Sequence, residues 1–122
     1  MSDKCCVGPK LIFPCSGAAD VGEIADHAAR KLSDQGAGKM FCLAGIGGRI
    51  PHMMDVTKGA SRILAIDGCP SDCAKDTLLQ AGFTKFDHVR VTDLGMKKGK
   101  SAVTDANVNK VVSKGKDAFA KA

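Results

Sequence analysis

Neither tryptophan nor tyrosine occurs in the chain of 122 residues, and aromatic side chains make up only 4% of it. Stacking of bases on aromatic faces therefore has little to work with, and no nucleic-acid partner is expected. No apolar run approaches the roughly 18 residues of a membrane span, so no membrane partner is expected either. Met1-Ser2-Asp3-Lys4 offers no apolar signal core, which predicts cytoplasmic residence. No CxxC motif is present. The arginine of a CX5R phosphatase or sulfurtransferase loop would fall at positions 21, 48 or 75, which hold Val21, Gly48 and Lys75. A dinucleotide fingerprint through Gly45 and Gly47 lacks its third glycine because position 50 is Ile50, and no Walker lysine follows.

What the chain does have is ordinary globular stock: 44% hydrophobic and 25% charged residues, net charge +5. One domain of this length buries about two-thirds of its unfolded surface, so no metal is needed merely to fold. Much of the basic excess lies in Lys97, Lys98, Lys100, Lys110, Lys114, Lys116 and Lys121. That run reads as a solvated face, or as a docking surface for an acidic protein partner. Six cysteines stand out. In a reducing compartment they point to metal ligation or thiol redox chemistry rather than to a disulfide framework.

The stretch Ile63 to Cys73 organises the rest. Ile63, Leu64 and Ile66 are apolar without alternation, as suits a strand covered on both faces. Pro70 suits the first position of a helix, which would set Cys69 at its N-cap and Cys73 on the same side of the first turn. Thiols there gain from unpaired amides and from the positive end of the helix dipole.

Earlier in the chain, residues 1–9 hold Cys5, Cys6, Gly8 and Pro9 and should be irregular. The adjacent cysteines are bystanders, accessory ligands or a vicinal disulfide. Leu11-Ile12-Phe13 is a first strand. Val21, Ile24, Ala25, Ala28 and Leu32 then recur at helical spacing over 20–34, with Asp20 as expected N-cap and His27 off the apolar stripe. Met40 to Leu43 is the second strand, followed by the glycine-rich turn 44–49. Arg49 is a candidate counter-charge for clustered thiolates. Pro51 opens another helix with Met53, Val56 and Ala60 inward, and His52 at its start is a candidate further ligand. Beyond the organising strand, a helix buries Ala74, Thr77, Leu78 and Ala81 and stops at Gly82. His88-Val89-Arg90-Val91 alternates as an edge strand does. Residues 96–122 are a basic loop and a last helix capped by Thr104, with Val108, Val111, Val112 and Phe119 inward.

Strands and helices thus alternate through a single α/β domain, a three-layer sandwich of about four parallel strands with helices on both faces. Cys42 follows Cys15 by 27 residues, and Cys69 follows Cys42 by the same interval. Each falls just past the carboxyl end of its strand, the edge where open parallel sheets bind ligands. Cys15, Cys42, Cys69 and Cys73 should therefore converge. Four thiolates match tetrahedral zinc and would equally hold an iron–sulfur cluster, the less favoured reading. Three with an open position would suit catalysis. A dithiol of Cys69 with Cys73 or Cys15 could instead exchange disulfides or carry sulfur, and the plainest alternative makes these cysteines small buried hydrophobes.

Asp67-Gly68-Cys69-Pro70 with Cys73, together with Phe13-Pro14-Cys15-Ser16-Gly17 and Cys42-Leu43-Ala44-Gly45-Ile46-Gly47-Gly48, resembles the DGC-domain family, named for its central Asp-Gly-Cys. The resemblance spans roughly residues 10–95 and leaves Cys5 and Cys6 outside. It implies a zinc-binding protein whose four chelating cysteines are Cys15, Cys42, Cys69 and Cys73, the same four reached by spacing. It implies no particular reaction.

Overall fold

The computed structural model describes residues 8–121. Cys5, Cys6 and most of the expected irregular segment 1–9 lie outside the described residues. Four strands form one all-parallel sheet: β1 (Lys10–Pro14), β2 (Lys39–Met40), β3 (Arg62–Asp67) and β4 (Asp87–Arg90), in the spatial order β2-β1-β3-β4. Leu11 pairs with Lys39 on one side and Ile63 on the other, and Asp67 pairs with Arg90. The central strands are apolar on both faces because both faces are covered.

Helices α1 (Asp20–Asp34) and α5 (Asp105–Ala120) cover one face. Ile12, Leu64, Ile66 and Val89 point to that side and pack among Ile24, Ala28, Leu32, Val111 and Phe119. The alternate residues Leu11, Phe13, Ile63 and Ala65 point the other way. They meet α2 (Leu43–Gly47) through Ile46, α3 (Pro51–Lys58) through Met53, and α4 (Cys73–Gln80) through Ala74 and Leu78. Gly115 lets α5 close onto α1: a Cβ there would stand 2.8 Å from Leu32 Cδ1 and 3.3 Å from a Leu64 methyl. The first connection leads leftward from β1 to β2 and the next rightward to β3, as right-handed crossovers with α1 on one face and α2 and α3 on the other require. The order therefore reverses between β1 and β3, which makes that gap the sheet's switch point.

Several local expectations give way to better-satisfied alternatives. The second strand is only two residues long, and the glycine-rich segment after it is the helix α2 with Cys42 as N-cap. Arg49 does not face the thiols. Its guanidinium donates to the carbonyls of Ile46 and Gly47 at 2.8 and 3.2 Å, at the C-terminal end of α2. Asp20 is not the N-cap of α1, a position held by Ala19. Its carboxylate accepts from the amides of Gly99 and Ser101 at 2.8 and 2.9 Å, which pins the basic loop to the start of α1. In α3 Val56 is 39% exposed and Thr57 is buried in its place, its hydroxyl donating to the Met53 carbonyl.

The largest local difference concerns Pro70. It does not begin a helix: the amide of Asp72 bonds the carbonyl of Cys69 at 3.1 Å, closing a tight turn with Pro70 at its second position. Proline's fixed φ suits that position as well as it suits a helix start. Asp72 then adopts φ 52°, and α4 begins at Cys73. Thr104 caps α5 as expected, accepting from the Asn107 amide at 3.2 Å. Among the described residues no helix is long and apolar enough to cross a membrane.

Candidate functional site

Three of the expected cysteines meet at the switch point. Cys15 leaves β1, while Cys69 and Cys73 follow β3, and all three line one cavity of about 350 Å³ with Asp67, Asp72 and Lys98. The chain runs unusually tight there. A Cβ on Gly68 would lie 2.8 Å from the backbone of Val21 and Gly22 at the start of α1, so only glycine lets the β3 turn touch that helix. The amide of Gly68 in turn points at Cys15 Sγ, 3.4 Å away.

Cys42 takes a neighbouring position. It lines an adjoining cavity of about 700 Å³ between the ends of β1 and β2, and Cys15 forms part of the wall of both cavities. Cys42 and Cys73 are exposed, Cys15 and Cys69 half-buried, and all four are free thiols. Among the described residues no three sulfurs lie within 4.8 Å of one another. His27 and His52 are both exposed; His27 pairs with Glu23 on its own helix at 3.3 Å.

The thiols differ in acidity. Burial pushes the Cys15 thiol up, against the opposing amides of Gly17 and Gly68, and the nearby charges of Asp67 and Cys73 add to the rise. Hydrogen bonds from the side chain and backbone of Ser71 pull Cys69 down, helped by the positive charge of Lys98. Cys69 is therefore the readier thiolate of the two.

The loop carrying Cys69 and Cys73 is held at both ends by acids that β4 grips. Asp67, 1% exposed, accepts from the amides of Ala74 and Lys75 at 2.7 and 3.0 Å. It thus caps the start of α4 from a distance. His88 Nε2 donates to the same carboxylate at 2.9 Å. At the loop's other end Arg90 donates to both oxygens of Asp72, at 2.9 and 2.7 Å, holding that carboxyl below its usual range and its own guanidinium charged. Asp67, Asp72 and His88 offer ligand atoms within 4.8 Å of one another. Their lone pairs already face the two amides, the imidazole and the guanidinium, so the group is an ion-pair brace and not a cation site.

The brace was not legible in the sequence. His88 and Arg90 stand two apart on a strand, so they share a face. That alternation suggested a face turned to water. The register that sets Arg90 beside Asp67 turns both residues onto the acids instead. Lys98 gave no signal beyond its place in a basic run.

The profile of the DGC domain matches residues 11–114. The Anaerobic and virulence modulator AnvM of Pseudomonas aeruginosa is 33% identical over 88 residues, which cover 72% of this chain and 67% of that protein. No solved structure matches.

Proposed function

Because the chain belongs to the DGC-domain family, whose profile covers most of it, we propose that it binds a metal ion, zinc, through the thiolates of Cys15, Cys42, Cys69 and Cys73. The observation that carries this reading is the shared wall. Cys15 lines both the cavity of Cys69 and Cys73 and the cavity of Cys42, so an ion beside it would border the places of all four sulfurs. The donor set fits: all four are unoxidised soft sulfurs, and Lys98 offsets part of the negative charge of a tetrathiolate. Zinc–sulfur bonds near 2.3 Å bring sulfurs to about 3.8 Å apart, whereas among the described residues no three sulfurs lie within 4.8 Å of one another. Cys42 and Cys73 are exposed and can turn inward. Bound zinc would supply cross-links among three βα turns, with the brace of His88 and Arg90 fixing the loop that carries two of its ligands.

Protein purified from zinc-replete medium should hold about one equivalent of metal by mass spectrometry of the native chain, and Cys69→Ser should lose it. Metal-free wild type with four freely titrating thiols overturns the reading. Iron in place of zinc, with visible absorption from sulfur-to-iron charge transfer, would assign the same ligands to a cluster.

A second reading is favoured by the acidity of Cys69. As a thiolate it would attack one sulfur of a disulfide substrate and release the other as a thiol. Cys73 or Cys15 would then displace the second substrate thiol and leave a protein disulfide, so two electrons pass from the protein to the substrate. Iodoacetamide mapping at neutral pH separates the two readings. Fast alkylation of Cys69 alone marks the thiol enzyme, whereas protection that a chelator relieves marks the metal protein. Cytoplasmic residence and an acidic protein partner for the lysine-rich segment 96–122 complete the proposal. The latter predicts salt-sensitive association that truncation after Ser101 abolishes.

A further inference from the structure

The larger of the two cavities contains more than a thiol. On the side of Cys15 away from Cys69, it runs for about 700 Å³ between the ends of β1 and β2, within the size range of small-molecule sites. Pro14, Met40, Phe41, Leu43 and Ala44 make its wall apolar. Three polar side chains gather at the rim. Ser16 holds φ 50°, a left-handed conformation unusual for a residue with a Cβ. Its hydroxyl donates to Asp26 Oδ1 at 2.7 Å, and Arg30 Nε donates to Asp26 Oδ2 at 2.7 Å. Among the described residues the two terminal nitrogens of Arg30 have no hydrogen-bond partner. Asp26 is only 20% exposed, whereas Arg30 is 66% exposed and reaches out over the rim.

Charge decides what such a rim would select. A lone anion drawn to Arg30 would be opposed by the Asp26 carboxylate, and a lone cation drawn to Asp26 would be opposed by the guanidinium. A ligand bearing both charged groups on one carbon meets both. We infer that this cavity is a binding site for a free apolar α-amino acid. Its carboxylate lies on the free fork of Arg30, its ammonium on Asp26, and its side chain against Met40, Phe41 and Leu43. Arginine's planar fork suits a carboxylate, and the hydrogen bonds from Ser16 and through Arg30 Nε fix the pair before the ligand arrives. Asp26 stays anionic for the same reason: burial works against its charge, but the hydrogen bonds from Arg30 and Ser16 outweigh it. A peptide is disfavoured because its terminal charges stand too far apart to meet one ion pair. The site requires no bound metal, so it stands or falls apart from the zinc reading.

The test is a chemical-shift titration of the reduced, chelator-treated protein with L-phenylalanine and L-leucine. Saturable shifts are expected at residues 14–16, 26, 30 and 40–44. The one-charge analogues 3-phenylpropanoate and 2-phenylethylamine should bind about tenfold more weakly or less. Arg30→Gln, on an exposed position that leaves the core intact, should weaken L-phenylalanine binding by a similar factor, and Asp26→Asn likewise. Unchanged resonances of α5 will report that each variant is folded. The inference is overturned by an absence of saturation at those residues, by one-charge analogues that bind as well as the amino acid, or by an Arg30→Gln variant that binds undiminished. Shifts confined to Cys69, Cys73 and Lys98 also overturn it.

Discussion

Asp67→Asn tests the brace most directly, because it keeps the shape of the side chain and changes only what it can accept. The carboxylate takes one bond at Oδ1, from the Ala74 amide, and two at Oδ2, from the Lys75 amide and His88. An amide group cannot do this. Turned one way its NH2 faces the N–H of Ala74; turned the other way it faces that of Lys75. Either orientation leaves a helix-start donor unpaired in a site where residue 67 is 1% exposed. An unpaired buried donor costs about 1–3 kcal/mol, and each surviving bond weakens by about 1 kcal/mol on losing its charge, for a total near 4 kcal/mol. For a domain of 122 residues that corresponds to a fall in Tm of roughly 12–20 °C. Thermal unfolding by circular dichroism on the reduced, metal-free protein measures the total. Hydrogen exchange at Ala74 and Lys75 locates it, since their protection should fall more than that of β1 or β3. A Tm loss below about 3 °C, or unchanged protection at both amides, would refute this account of how α4 is started.

Further outcomes follow from the same geometry. Gly68→Ala must push the β3 turn away from Val21 and Gly22, so it should destabilise by about 1–3 kcal/mol in urea titrations although it adds a single methyl group. Arg90→Gln should lower stability at neutral pH, and the deficit should shrink in acid. Arg90 depresses the carboxyl of Asp72, so their pairing contributes above the unfolded carboxyl pKa of about 3.9 and is lost as pH falls through the lower folded value. Unfolding curves taken from pH 7 down to about pH 2 check this, and a deficit that persists in acid argues against it. In metal-free protein, alkylation followed by mass mapping should find Cys69 gaining reactivity at lower pH than Cys15. Ser71 and Lys98 favour the Cys69 thiolate, and burial opposes that of Cys15. Equal profiles for the two, or the reverse order, count against the assignment.

The two central strands and the first helix were readable from local pattern alone. The unbroken apolar runs at Leu11–Phe13 and Ile63–Ile66 mark strands covered on both faces, and the 3.6-residue recurrence from Val21 to Leu32 marks α1, because these periodicities follow from backbone geometry. The repeated 27-residue interval likewise sets three cysteines past three strand ends, since each βα unit consumes a similar length of chain. Boundaries fared worse where one residue suits two local structures. Pro70 is as content in a turn as at a helix start, and the turn prevailed because the Asp72 amide finds the Cys69 carbonyl there.

The sequence by itself thus determined the central strands, the layers and the edge on which the thiols lie. Only the tertiary structure decided which groups share a cavity. Strand order puts the switch point between β1 and β3, which gathers Cys15, Cys69 and Cys73 and sets Cys42 in the next cavity. Strand register brings His88 and Arg90 onto Asp67 and Asp72. Side-chain reach joins Ser16, Asp26 and Arg30 at a rim. Order and register pair residues far apart along the chain, and no local periodicity encodes a distance across a sheet.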